Sequence, residues 1–60
     1  MNTPPQYTAG SVKQDLTTMA VAVRTNIWTH DGSHDWGVMT VDRGGRHAFW
    51  DEVQDWKDKT

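Results

Sequence analysis

The sequence of 60 residues contains no cysteine, which excludes a disulfide framework and a thiolate metal site. No apolar run approaches the length of about 20 residues that a membrane-spanning helix needs. The N-terminal residues lack the charged leader and the apolar core of a secretory signal peptide. From these absences we expect a cytoplasmic protein that does not associate with a membrane.

An excess of basic residues is also missing. Six Lys and Arg stand against eight Asp and Glu, for a formal net charge of -2, whereas nucleic-acid-binding domains carry a clear basic surface. A nucleic-acid partner is therefore not expected. The alternative function of a nucleic-acid-binding module would have to use Arg24, Arg43 and Arg46 together with stacking tryptophans.

Aliphatic side chains are scarce, but the chain has four tryptophans. A domain of this size buries only about 60% of its unfolded surface, and each tryptophan can bury about 150–250 Å². We therefore predict one small domain over residues 11–60, in which Trp50 and Trp56 pack a helix onto a sheet. A homo-oligomer would be a further source of stability.

Residues 1–10 are predicted to form a flexible tail, because Pro4 and Pro5 favour extended backbone and only Tyr7 could anchor it. The next segment has two interpretations. Ser11 and Gln14 match a helix capping box, whereas the β-branched residues that follow favour a strand. We expect at most a helical turn before residue 17 and a strand after it.

The predicted fold class is α+β, with a small antiparallel sheet of two or three strands and a C-terminal helix. The strands are predicted over about 19–29 and 36–42, with a third at about 46–49, because residues 21–27 alternate with period two and Gly44-Gly45 suit a tight turn. The helix is predicted over about 50–57. Phe49, Val53 and Trp56 have helical spacing there, and acidic residues precede basic ones.

The register of the first hairpin decides which side chains share a face. A three-residue loop at residues 31–33 would pair Trp28 with Trp36 and His30 with His34. One face would then be apolar, with Val21, Val23, Ile27, Met39 and Val41. The other would carry Arg24, Trp28, His30, His34, Trp36 and Val38. A two-residue turn at residues 31–32 would instead move Trp36 and Val38 to the apolar face; we favour the first register.

The loop "THDGSHDW" (residues 29–36) holds the side chains that could bear chemistry. His30, His34 and His47 could bind a metal, but Asp, Gly and Ser are also ordinary turn residues, so we predict no metal site. A Ser-His-Asp triad needs a rigid scaffold and an oxyanion hole, which one short loop does not supply. We therefore predict no catalytic residues and no cofactor.

The sequence is most consistent with a non-catalytic protein–protein interaction module of the adaptor or inhibitor type. Size alone suggests a phage or bacterial origin. Tryptophan is enriched at interface hot spots, so the predicted partner-binding residues are Trp28, Trp36, Arg24, His30 and His34. The alternatives are the nucleic-acid-binding module and a small module stabilised by metal on His30, His34 and His47.

Overall fold

The computed structural model describes residues 7–27, 29–30 and 34–59. In this part of the chain five strands and one short helix follow in the order β1 (Val12–Gln14), β2 (Val21–Arg24), β3 (Trp36–Thr40), β4 (Gly44–Ala48), α1 (Trp50–Val53) and β5 (Lys57–Asp58). The strands form one sheet in the order β4-β3-β2-β1-β5, and adjacent strands are antiparallel. The chain therefore runs through a four-stranded meander and then crosses from one edge of the sheet to the other.

The prediction of a two- or three-stranded sheet with a C-terminal helix over 50–57 is wrong. The helix begins at Trp50 but ends at Val53 after four residues, and Lys57 and Asp58 pair instead with β1. Such a short helix has little stability of its own, so pairing with a strand distant in sequence outweighs the local charge pattern. Within the described residues no helix is long enough to cross a membrane.

A strand also replaces the helical turn that was predicted before residue 17. β1 ends at Gln14, and the carboxylate of the next residue, Asp15, accepts hydrogen bonds from the Thr17 amide (3.0 Å) and the Thr18 hydroxyl (3.0 Å). Such side-chain bonds compete with helix formation. The turn ends at Met19, which has a positive φ of 64°. The chain reverses here and enters β2.

The tight turn between β3 and β4 lies slightly earlier than the two glycines suggested. Of these two glycines, only Gly44 has a left-handed backbone, with φ of 74°. Gly45 already lies inside β4, opposite Met39. The Arg43 amide donates to the Thr40 hydroxyl oxygen at 3.1 Å, which closes the turn over residues 41–43. Gly44 is thus required by the backbone conformation, whereas Gly45 is not.

The register of β2 against β3 differs from the predicted one by four residues. Arg24, rather than Trp28, lies opposite Trp36, and residues 25–35 form a longer connection. The Thr25 amide donates to the Asp35 carbonyl oxygen at 2.9 Å, and the Thr25 hydroxyl donates to the His34 carbonyl oxygen at 2.8 Å. These bonds close the base of the loop directly after the last strand pair. Because the shift is even, it leaves each side chain on the face where the predicted register put it.

One face of the sheet, the inner face, is covered by α1 and by the segments beside it. In the described part of the chain the core comprises six buried apolar residues: Ala20, Ala22, Trp36, Val38, Ala48 and Val53. Trp50 and Trp56 pack against this core, but only Trp50 does so from the helix, because α1 ends at Val53. Three of the six are alanines, so most of the buried apolar area comes from aromatic rings.

Residues 7–10, which were predicted to belong to the tail, contact the folded domain. The Tyr7 ring lies 5.2 Å from the ring of Trp36 and 5.4 Å from that of Trp50, measured between centroids. The Gly10 amide donates to the Arg24 carbonyl oxygen at 2.7 Å. Tyr7 therefore serves as the anchor that the sequence suggested, and residues 1–6 of the predicted tail lie outside the described residues.

Candidate interaction face

The other side of the sheet carries an apolar surface that no described segment covers. Its residues form two rows across four strands. The rows are Val12, Val23, Gly37 and His47, and Gln14, Val21, Met39 and Gly45. We call these eight residues the outer face. On β5, Lys57 extends the second row beyond Gln14.

The outer face is apolar and uneven in height. Met39 is 64% exposed and Val23 is 39% exposed, so both project from the sheet. Gly37 and Gly45 have no side chains and form the floor of a hollow beside them. The hollow encloses about 610 Å³ and is also lined by Val21 and His47. Among the eight residues of the outer face none carries a carboxylate.

The two faces of the hairpin were grouped correctly from the sequence, but their roles are exchanged. Val21, Val23 and Met39 do share a face, and it points away from the core. Arg24, Trp36 and Val38 share the opposite face, and it is the buried one. Trp36 can contact Tyr7 and Trp50 on that side, which offers a larger apolar contact area than valine side chains would.

Two of the predicted partner-binding residues, Trp36 and Arg24, lie in the interior at 2% and 3% exposure. The Arg24 guanidinium donates to the Asp35 carbonyl oxygen at 2.8 Å and to the Thr25 carbonyl oxygen at 3.2 Å, and it lies 3.7 Å from the Asp35 carboxylate. Backbone and carboxylate oxygens thus solvate a buried charge that the sequence placed on a surface. Trp28, the third predicted residue, lies outside the described residues.

The histidines of the loop are placed partly as predicted. His30 and His34 are both exposed, and the His34 ring lies 4.5 Å from the His47 ring, centroid to centroid. Strand β4 therefore brings His47 beside the loop. In the described part of the chain no three His, Asp or Glu side chains are arranged to hold a metal ion. Asp31 and Ser33 lie outside the described residues.

A second cleft, of about 620 Å³, is lined by residues of the β1–β2 turn, the β3–β4 turn and α1. Charged residues line it, among them Asp15, Arg43, Arg46 and Glu52. Arg46 and Glu52 form an ion pair with two hydrogen bonds, and the hydrogen bond from Arg46 lowers the pKa of the Glu52 carboxyl although burial opposes this. Asp15 holds the β1–β2 turn. Most of the charges in this cleft therefore already have structural partners.

The inner face also contains a buried lysine that the sequence did not reveal. Lys13 is 2% exposed, and its ammonium lies 5.3 Å from the Tyr7 ring centroid and 5.4 Å from that of Trp50, within the range of cation–π attraction. It donates to Asp58 at 2.9 Å and to the Tyr7 hydroxyl oxygen at 3.5 Å. Burial alone would lower the pKa of Lys13, but the hydrogen bonds to Asp58 and Tyr7 raise it above its ordinary value.

Each polar group of this interior is satisfied. Among the described residues, no buried side-chain nitrogen or oxygen lacks a hydrogen-bond partner, as expected for a native-like polar interior. The buried polar groups of the inner face are therefore bound within the chain.

Comparison of the chain with protein-family models, with curated proteins and with solved structures finds no match.

Proposed function

We propose that the chain is a non-catalytic protein–protein interaction module and that the outer face is its binding surface. The observation that carries this proposal is an open face of four neighbouring strands on which three strands present the apolar side chains Val12, Val21, Val23 and Met39. Contiguous exposed apolar patches on small proteins usually mark sites of association. A sheet normally buries at least one face against another layer, and here the second face offers apolar side chains as well.

The distribution of large apolar residues supports the same conclusion. Among the described residues, only Trp36, Val38 and Val53 are large and fully buried. Seven large apolar side chains of this part of the chain are exposed: Leu16, Met19, Val23, Ile27, Met39, Val41 and Phe49. Single exposed apolar residues need no explanation, but Val23 and Met39 adjoin the half-buried Val12 and Val21 on one continuous surface. A partner protein could therefore bury a continuous apolar area there.

The non-catalytic part of the proposal is supported by the charged cleft and the buried charges. Arg46 is engaged with Glu52, Asp15 with its own turn, and Lys13 with Asp58. These pairings stabilise the fold and do not leave an acid, a base and a substrate pocket side by side. A cytoplasmic location is proposed with the module, on the absence of cysteine from the sequence.

The test is an unbiased selection of binders. A phage-displayed peptide library is selected against the immobilised chain, and the selected peptides are then measured against three variants. We expect Val23→Lys and Met39→Lys to reduce binding at least tenfold, because each places an ammonium on the apolar surface. The control is Val41→Lys, which changes an exposed valine (84%) in the β3–β4 turn. Peptides that bind Val23→Lys and Met39→Lys as well as the wild type would overturn the proposal.

A second candidate is a small module stabilised by metal. The contact of the His34 and His47 rings at 4.5 Å favours it, because two imidazoles in contact can supply two of the four ligands of a zinc site. A zinc titration separates this candidate from the first, because structural metal couples to folding.

A further inference from the structure

We propose that the partner of the outer face is a second copy of this chain, and that the two copies pack face to face around Met39. This inference rests on the proposed function, because it names the occupant of the same surface. It is carried by the shape of the outer face, by its two glycines and by its charge.

The two glycines of the outer face have no explanation within one copy of the chain. Neither Gly37 nor Gly45 has a positive φ, and a Cβ atom at either position would meet no atom closer than 3.8 Å. Glycine inside a strand weakens it and often marks a place where another molecule approaches closely. The backbone of Gly44, by contrast, requires glycine at φ 74°. Gly37 and Gly45 therefore keep a hollow open that a single copy does not use.

A projecting side chain lies directly beside this hollow. Met39 is opposite Gly45 in the β3–β4 pair, which places the two residues about 5 Å apart, and it is two residues from Gly37 on β3. An unbranched thioether chain adapts well to irregular apolar gaps. In a two-fold dimer the same patch of both copies is in contact. Met39 of each copy can then enter the hollow at Gly37 and Gly45 of the other copy.

The charges of the face permit this self-association. The outer face has no carboxylate, and the acidic residue of β5, Asp58, points to the inner side, where it binds Lys13. Like charges placed opposite each other would oppose a two-fold contact. The eight residues that two copies would share therefore hold none of the carboxylates of the chain, and the cation Lys57 lies beside them on β5.

The area of the outer face limits the affinity that we expect for the dimer. Four strands about 4.8 Å apart and four residues long, at about 3.4 Å each, cover roughly 20 by 14 Å. Two such faces with their side chains bury less than about 1,200 Å² in total, which is the size of weak and transient complexes. Packed sheets lie about 10 Å apart. We therefore expect a β-sandwich dimer with a dissociation constant of about 10–500 µM.

The experiment is sedimentation equilibrium of the full chain from 5 µM to 1 mM, together with amide NMR spectra over the same concentrations. We expect a monomer–dimer equilibrium, with concentration-dependent shifts at the amides of Val23, Gly37, Met39 and Gly45. Gly45→Val fills the hollow, and Met39→Thr removes the projection. Each is expected to weaken the dimer at least tenfold. Val41→Thr is the matched control on the adjacent turn and should leave dimerisation unchanged.

Stability measurements separate an interface effect from misfolding. In urea unfolding at about 0.5 µM, where a dimer with a dissociation constant of about 10 µM or more is largely dissociated, Gly45→Val should be as stable as the wild type or more stable, since valine is the better strand residue. A chain that stays monomeric at 1 mM, or a dimer unaffected by Gly45→Val and Met39→Thr, would overturn the inference. If the peptide selection still converges on the outer face of a monomeric chain, the interaction module stands and only the second copy is rejected.

Discussion

The ammonium of Lys13 lies 2.9 Å from a carboxylate oxygen of Asp58, and this ion pair joins β1 to β5 on the inner face. Lys13 is nearly inaccessible at 3% side-chain exposure, while Asp58 is 58% exposed. The pair therefore couples a desolvated cation to an anion that water still reaches. Its value to the fold depends mainly on the cation, because that is the partner that loses its hydration.

This asymmetry predicts different outcomes for the two single substitutions. Asp58→Asn leaves a buried ammonium without its counter-ion and should destabilise the fold clearly. Lys13→Met removes the charge and keeps a chain of similar length between Tyr7 and Trp50, so it should cost less. The measurement is the urea midpoint followed by tryptophan fluorescence, with the exposed Lys59→Met as control. A Lys13→Met variant that is less stable than Asp58→Asn would contradict this account.

The same ion pairs predict how stability depends on pH. Hydrogen bonds from Lys13 and Arg46 lower the pKa values of Asp58 and Glu52. Unfolded carboxyls titrate near pH 4, and below that the unfolded chain binds more protons than the folded one. Stability is therefore complete above about pH 4 and falls as the pH drops through the folded pKa values. Glu52→Gln should remove only part of this loss of folding stability at acid pH, because the contribution of Asp58 remains.

The raised pKa of Lys13 has the opposite sign. Its contribution is complete below about pH 10.4, the pKa of an unfolded lysine, and is lost as the pH rises through the folded value. Urea midpoints measured from pH 2 to 12 should therefore show a plateau with a decline on both sides. Lys13→Met should lack the alkaline decline, and an unchanged decline in that variant would refute the assignment to Lys13.

Met19 predicts a stabilising substitution. Its φ of 64° is unfavourable for a residue with a Cβ atom by about 1–2 kcal/mol, and its side chain is 53% exposed, so little packing is lost on truncation. Met19→Gly should raise the free energy of unfolding by up to about 1 kcal/mol. Leu16→Gly is the matched control: it is 58% exposed in the same turn without a positive φ, and it should lower stability.

A zinc titration tests the metal-stabilised alternative. For the interaction module we expect a dispersed amide spectrum in EDTA, because the core consists of apolar and aromatic side chains. One equivalent of zinc should move only peaks near His34 and His47. His47→Gln should remove that response, while His30→Gln, which alters the exposed loop residue, should keep it. A spectrum that collapses in EDTA and returns with zinc would instead establish the metal-stabilised module, since structural metal couples to folding.

The sequence predicted what depends on local alternation. Val21, Val23 and Met39 were assigned to one face and Arg24 and Trp36 to the other, because strand periodicity fixes the face of each side chain. The loop length that sets the register could not be read, since it depends on hydrogen bonds from Thr25 to the far side of the loop. The sequence also did not show which of the two faces is buried. The buried face contains Arg24, and an arginine can be buried only where oxygens such as the Thr25 and Asp35 carbonyls accept its hydrogen bonds.

Strands β1 and β5 could not be predicted for a related reason. Each is very short, and each is stabilised by pairing with the other: Lys13 lies opposite Asp58, and Gln14 lies opposite Lys57. In the sequence, the lysines near residue 57 look like the favourable end of a helix. Only the contact between segments 45 residues apart decides between the two structures. The hollow at Gly37 and Gly45 was likewise invisible, because it exists only once the strands are aligned.

The closing of the sheet by β5 also bears on the order in which the molecule assembles. The meander of β1 to β4 joins neighbouring segments, whereas β5 must close a long loop, which makes its docking entropically costly. We expect β5 to leave first under mild destabilisation, so that the amide of Lys59, bound to Val12 at 2.7 Å, exchanges hydrogen faster than that of Arg24. The uncovered edge of β1 could then accept β5 from another copy, which makes strand exchange the characteristic route by which this fold would misassemble.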